Sequence, residues 1–179
     1  MSALSHAEVS VATKPPVDEF STLVEQYRLR AFHFALQLVG DREDAMDLTQ
    51  EAFIKVHRNW RRRDPTRPFG PWFFTILRNL AIDLLRKRST RKEDAVEEFY
   101  HASPRPGPQA LAEKSEVKEK VWLAISQLSE DQREVVVLRD LQGFSYKEIA
   151  EIIGESTTTV NSRLHDAREI LRRKLRGYL

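Results

Sequence analysis

The sequence predicts an all-α protein of two small helical domains joined by a flexible linker. Apolar residues recur at three- and four-residue intervals over most of the chain, the spacing of amphipathic helices. No stretch alternates with the period of two that a strand requires. Residues 93–113, EDAVEEFYHASPRPGPQALAE, then interrupt the helical pattern, acids first and three prolines with a glycine after them, a linker by composition. A length of 179 residues leaves room for one or two domains.

Residues 1–17, with Pro15 and Pro16, read as a flexible N-terminal tail. From Phe20 a stripe of Leu23, Val24, Tyr27, Ala31, Phe34, Ala35 and Leu38 predicts a helix that Gly40 ends. Asp41 with Asp44 caps a second helix, whose inward residues are Ala45, Leu48, Ala52, Phe53 and Val56. The basic loop RRRDPTRPFG (61–70) follows, and Pro71 suits a helix start. WFFTILRNLAIDLLRKR then continues to Arg88, with Phe73, Ile76, Leu77, Leu80 and Leu84 inward and Thr75, Arg78, Asn79, Ile82 and Arg86 outward. The first domain is therefore set at 18–92, the linker at 93–113 and the second domain at 114–179. In that second domain Val117 to Leu128 predicts a helix, Ser129 with Gln132 caps another, and Val135 to Leu141 is strongly apolar.

The stretch SYKEIAEIIGESTTTVNSRLHDARE (145–169) has the shape of a helix-turn-helix. Ser145 and Glu148 form a capping box, and Ile149, Ile152 and Ile153 share a face. Gly154 can take the positive φ that ends a helix, and Ser156 caps the next. There Val160, Leu164, Ala167 and Leu171 form the inward stripe. At about 100° per residue, Thr158, Ser162, His165 and Glu169 lie opposite it. Asn161 and Arg168 flank one side, and Thr159, Arg163 and Asp166 the other. Small polar side chains at the start of a second helix are what close approach to base edges in a major groove needs. Taken alone, the stretch is also compatible with an ordinary helical hairpin in a bundle.

Composition excludes several classes. With no cysteine there is neither a disulfide nor a thiolate metal site. The N-terminus lacks a secretory pattern and no apolar run reaches membrane-span length, so a cytoplasmic, bacterial-type protein is expected. The five histidines are scattered, no Gly-rich phosphate loop occurs, and Asp44 with Asp47 has no third ligand nearby. No catalytic constellation, cofactor site or metal site emerges, and an enzyme is not expected. The net charge of +2 says little, but its distribution says more. Between Arg58 and Lys92 stand eleven Lys or Arg against two acids, a repulsion that a polyanion would relieve.

Two basic helical units in this order resemble a sigma-70-family RNA polymerase sigma factor of the extracytoplasmic-function (ECF) group. DREDAMDLTQEAFIKVHRNW (41–60) resembles region 2.2, which docks on the polymerase clamp. PFGPWFFTILRNLAIDLLRKR (68–88) resembles regions 2.3 and 2.4, which open and read the −10 element. The stretch 128–175 resembles region 4, which reads the −35 element. The resemblance implies that Asp44, Asp47, Gln50 and Glu51 meet core polymerase, whose clamp and flap are the expected contacts. It implies that Arg61, Arg62, Arg63, Arg67, Arg78, Asn79 and Arg86 hold the melted, single-stranded −10 element. Asn161, Ser162 and His165 would face duplex bases at −35, with Thr159, Arg163 and Arg168 on phosphates and Thr158 also at the −35 DNA. The sequence departs from the family at Thr158, where Gly is usual, at Asn161 and Asp166, where a base is common, and at Glu155, usually an apolar turn residue. Because Asn favours adenine where Arg favours guanine, a family-average −35 preference does not transfer. Members of the family are commonly held by an anti-sigma factor, and nothing in these residues demonstrates one.

The implied elements lie about 25 base pairs apart, roughly 85 Å at ~3.4 Å per pair. A linker over 93–113 spans at most about 70–75 Å, so the widths of the domains must supply the rest. Two other readings are a stand-alone helix-turn-helix regulator and a polymerase-docking adaptor. The basic segment 58–92, with Trp60 and Trp72, argues against both, since neither has use for a single-strand cradle beside a helix-turn-helix.

Overall fold

A computed structural model describes residues 17–93 and 115–176. The expected tail before Val17 and the body of the acidic, Pro-rich linker lie outside the described residues. The N-terminal unit comprises α1 (Val17–Val39), α2 (Arg42–Arg58), a single 3₁₀ turn (Trp60–Arg62) and α3 (Phe69–Glu93). The C-terminal unit comprises α4 (Ser115–Ser126), α5 (Glu130–Val136), a π turn (Val137–Leu141), α6 (Tyr146–Ile153) and α7 (Thr157–Lys174). The described residues contain no strand.

The capping signals act as the sequence suggests. Asp41 accepts from the Asp44 amide at the start of α2. Ser129 with Gln132 and Ser145 with Glu148 form reciprocal capping boxes at α5 and α6. Gly154 sits at φ 72°, where a side chain would be strained, and turns the chain from α6 into α7. Ser156 caps α7 by accepting from the Thr159 amide at 3.0 Å.

Two boundaries differ from the sequence reading. Helix α3 begins at Phe69, two residues before Pro71, which is tolerated because a proline in the first turn removes only an N–H without an intrahelical partner. The apolar run after α5 is not regular α-helix. The Gln142 amide bonds to the Val137 carbonyl at 2.9 Å, a five-residue span that widens the helix before Gly143 (φ 78°) ends it.

In the N-terminal unit Phe34, Phe73, Phe74 and Leu77 are fully buried. In the C-terminal unit Val135, Val137, Leu138, Ile149 and Val160 are fully buried too. The two cores join into one. Phe144, 6% exposed, meets Phe74 edge-on at 5.1 Å. The Arg30 guanidinium lies over the rings of Tyr27, Phe74 and Phe144 at 5.3, 5.8 and 5.6 Å. It also donates to the Gln142 side chain at 3.0 Å and to the Gln142 carbonyl at 2.7 Å. Helix α6 packs on α3, and α5 on α1, so the two units are closed on each other.

Candidate nucleic-acid and polymerase interfaces

The expected docking residues stand on α2. Asp47, Gln50 and Glu51 are exposed, and Glu51 lies 3.8 Å from Lys55. Asp44, expected among the polymerase contacts, is half-buried and tied to Arg88 of α3 by an ion pair. Its carboxylate braces the end of α3 against the start of α2. The charge pattern overlooked Met46 and Ile54, which are 47% and 48% exposed. Four-residue spacings align Met46, Gln50 and Ile54, and Asp47 with Glu51 runs beside them, an acidic edge next to an apolar one. Two large apolar residues on the polar side of an amphipathic helix were the available signal.

The seven residues expected at the −10 strand do not form one group. Arg61 and Arg62 are exposed on the 3₁₀ turn, and Asn79 and Arg86 are exposed on α3. Arg63 is half-buried, 4.9 Å from the Trp60 ring centroid and 5.6 Å from that of Phe69, and reaches Glu19 at 3.2 Å. Those contacts anchor the basic loop on the helical core. Asp64 accepts from the Thr66 hydroxyl at 2.6 Å and amide at 2.9 Å, which holds its carboxyl below the usual range and fixes the loop's bend.

Arg67 and Arg78 turn toward the C-terminal unit. Arg67 meets Glu151 of α6 at 3.1 Å. Arg78 forks onto Glu134 of α5, Nε to Oε1 at 2.5 Å and Nη2 to Oε2 at 3.2 Å. Arg78 and Ile82 were expected to face outward; instead they line the seam between the units. Glu134 is 5% exposed. Burial pushes its carboxyl above the usual range, against the pull of Arg78.

On α7 the expected base-reading residues Asn161, Ser162 and His165 are together and exposed, with Thr158 exposed beside them. Three expected phosphate contacts already have partners. The Thr159 hydroxyl lies 2.9 Å from that of Ser156. Arg163 meets Asp131 at 2.9 Å and Glu155 at 3.3 Å. Arg168 grips both carboxylate oxygens of Asp140, at 2.5 and 3.3 Å. These pairs fix α7 against the rest of its unit.

Among the described residues no His, Cys, Asp and Glu cluster of three or more could hold a metal, and no helix is long and apolar enough to cross a membrane.

Residues 23–91 match the family description Sigma-70 region 2, and residues 118–171 match Sigma-70, region 4. The chain is 36% identical over 163 residues to the ECF RNA polymerase sigma factor SigE of Mycolicibacterium smegmatis, covering 90% of this chain and 62% of that protein. It is 37% identical over 144 residues to the ECF RNA polymerase sigma factor EcfG of Rhodopseudomonas palustris, covering 80% and 76%. The ECF RNA polymerase sigma-E factor of Escherichia coli is 32% identical over 165 residues, covering 87% and 86%. This chain belongs to the ECF group of the sigma-70 family. As such a factor it directs transcription initiation from specific promoters. Among solved structures, the sigma factor RpoE in complex with the anti-sigma factor NepR from Bartonella quintana superposes with a TM-score of 0.80 at 28% identity, over 90% of this chain and 99% of that one. CnrH in complex with the cytosolic domain of CnrY superposes with a TM-score of 0.65 at 27% identity, over 89% of each chain.

Proposed function

We propose that the ECF sigma factor divides its work among three surfaces. The strip Met46, Asp47, Gln50, Glu51 and Ile54 of α2 docks on core RNA polymerase. Arg61, Arg62, Asn79 and Arg86, with Arg67 and Arg78 once they are free, hold the unpaired −10 strand. Thr158, Asn161, Ser162 and His165 read duplex bases at −35. The observation that carries this reading is the exposed start of α7: a capped helix after the Gly154 turn, its outer face made of short polar side chains and one histidine. Such a helix can enter a major groove with its first turns at the base edges. Arg163 and Arg168, held by acids of their own unit, keep the helix seated and reach phosphates with their remaining donors.

The domain limits follow the same division: 18–92 for docking and the −10 element, 93–113 as tether, and 114–179 for the −35 element. The chain acts in the bacterial cytoplasm and carries no catalysis of its own, the chemistry belonging to polymerase. An anti-sigma factor is a partner too. Support comes from the 0.80 superposition on a sigma factor held by NepR, which extends over both units at once. A promoter-variant selection tests the reading face. Asn161→Arg should move one −35 position toward guanine, because a paired guanidinium suits guanine's two acceptors. Identical −35 preferences for wild type, Asn161→Arg and His165→Ala would show that this face does not read bases.

A further inference from the structure

We propose that Asp166 sets base choice at one −35 position: its carboxylate accepts from the amine of a cytosine and weakens binding wherever another base stands there. The proposal rests on the assignment of α7 to duplex bases at −35.

Three observations lead to it. First, the outer face of α7 consists of two rows at four-residue spacing, Thr158, Ser162 and Asp166 in one and Asn161, His165 and Glu169 in the other. Asp166 continues the first row by one turn and is exposed as Thr158 and Ser162 are. Secondly, the other acids that face α7 or stand on it are neutralised. Asp131 and Glu155 hold Arg163 at 2.9 and 3.3 Å, Asp140 holds Arg168 at 2.5 Å, and Glu169 is paired with Arg172. Among the described residues the Asp166 carboxylate has no ion-pair or hydrogen-bond partner. Thirdly, the helix itself leaves it so. The neighbours of Asp166 at three and four residues are Ser162, Arg163, Glu169 and Ile170, and the one cation among them is committed to Asp131 and Glu155.

Base chemistry decides what such a group selects. An ionised carboxylate only accepts hydrogen bonds. In the major groove guanine N7 and O6, adenine N7 and thymine O4 are acceptors that repel it, and the available donors are adenine N6 and cytosine N4. Adenine N6 stands beside N7, whereas cytosine N4 stands beside a C–H, so cytosine is the base that fits. Opposite any other base the charge stays unpaired in the field of the phosphates, and affinity falls. Asp166 therefore acts chiefly by rejection, adding little to affinity on the preferred site and removing much from the others. It lies five residues beyond Asn161, about 7.5 Å along the axis at ~1.5 Å per residue, or roughly two base steps.

The test uses the full chain with core RNA polymerase, selecting promoters from a library randomised over the −35 element. Wild type should favour cytosine by at least ~fivefold at one position, about two base pairs from the position that Asn161→Arg moves toward guanine. Asp166→Asn should turn the cytosine position toward adenine, because an amide suits adenine's N6 and N7 together. Asp166→Ala should level the four bases there to within about twofold, by raising use of the rejected sequences, and should leave the other −35 positions as they were. One shared −35 preference for wild type, Asp166→Asn and Asp166→Ala, while Asn161→Arg shifts its own position, overturns the proposal and leaves the reading face standing. An equal gain for Asp166→Ala on every sequence reflects repulsion from the phosphates alone and overturns it too. A wild-type preference for adenine that Asp166→Ala abolishes overturns the cytosine assignment. If Asn161→Arg also shifts nothing, the reading face itself fails, and the proposal with it.

Discussion

Truncating Phe144 to alanine removes the ring through which the two units share a core. Phe144 is 6% exposed, and its neighbours Phe74, Gly70 and Arg30 all belong to the other unit. A buried Phe→Ala change costs about 3–5 kcal/mol, including the edge-on aromatic contact of about 0.5–1.5 kcal/mol. Because the ring's partners lie across the seam, most of that loss falls on the equilibrium between closed and separated units. At about 1.4 kcal/mol per tenfold, even the lower figure shifts that equilibrium by roughly 150-fold. Small-angle scattering and urea unfolding followed by circular dichroism read the effect. Wild type should be compact and unfold in one transition; Phe144→Ala should have a larger radius of gyration and unfold in two steps. A variant with a lower midpoint, an unchanged radius and a single transition would refute the reasoning, because Phe144 would then belong to the core of the C-terminal unit alone.

Charge reversal at Asp47 and Glu51 should weaken core-polymerase binding at least ~tenfold in a competition pull-down and leave the fold within about 0.5 kcal/mol, both side chains being exposed; unchanged affinity would move docking off this face. Ser156→Ala removes the acceptor for the Thr159 amide and should cost about 1 kcal/mol, roughly 2–4 °C in calorimetric Tm, with weaker −35 binding. Closure should also depend on pH. The Glu134 carboxyl is raised by burial in the closed chain, with Arg78 and Arg163 pulling it down, Asp131 pushing it up, and Glu130 and Arg133 lining the same seam. The closed form then binds a proton more tightly than the open form, so closure strengthens as pH falls from neutral through the raised value toward the ordinary 4.5, and weakens as pH rises through that window. The radius of gyration should fall on acidification, and Glu134→Gln, neutral at every pH as the protonated carboxyl is, should keep the closed form at neutral pH and flatten the change.

The helical elements and the exposed polar face of α7 were legible because their signals are local. Ser145 with Glu148, Ser129 with Gln132, Gly154 and Ser156 each announce a helix end within four residues, and α7's stripe follows from spacing alone. The closed packing was not legible in the same way. Arg78 lies on the outward face of α3 by periodicity, and only contact with another unit makes that face a seam. Phe144 before Ser145 reads as an ordinary apolar residue ahead of a cap. One signal was available: Val135, Val136, Val137 and Leu138 are apolar on every side, and such a segment needs partners all round. It finds α7 in its own unit and α1 in the other. The π turn escaped notice because a five-residue hydrogen bond leaves no mark in an uninterrupted apolar run.

Run-off transcription with purified core RNA polymerase and a genomic promoter library tests the account most directly. The three surfaces predict that core enzyme alone is silent and that added factor yields discrete transcripts. The promoters used should share one −10 and one −35 element at fixed spacing, and output should fall with both Asp47→Lys/Glu51→Lys and Asn79→Ala/Arg86→Ala. No transcript from any promoter, while a control sigma factor initiates on the same core, would contradict the account.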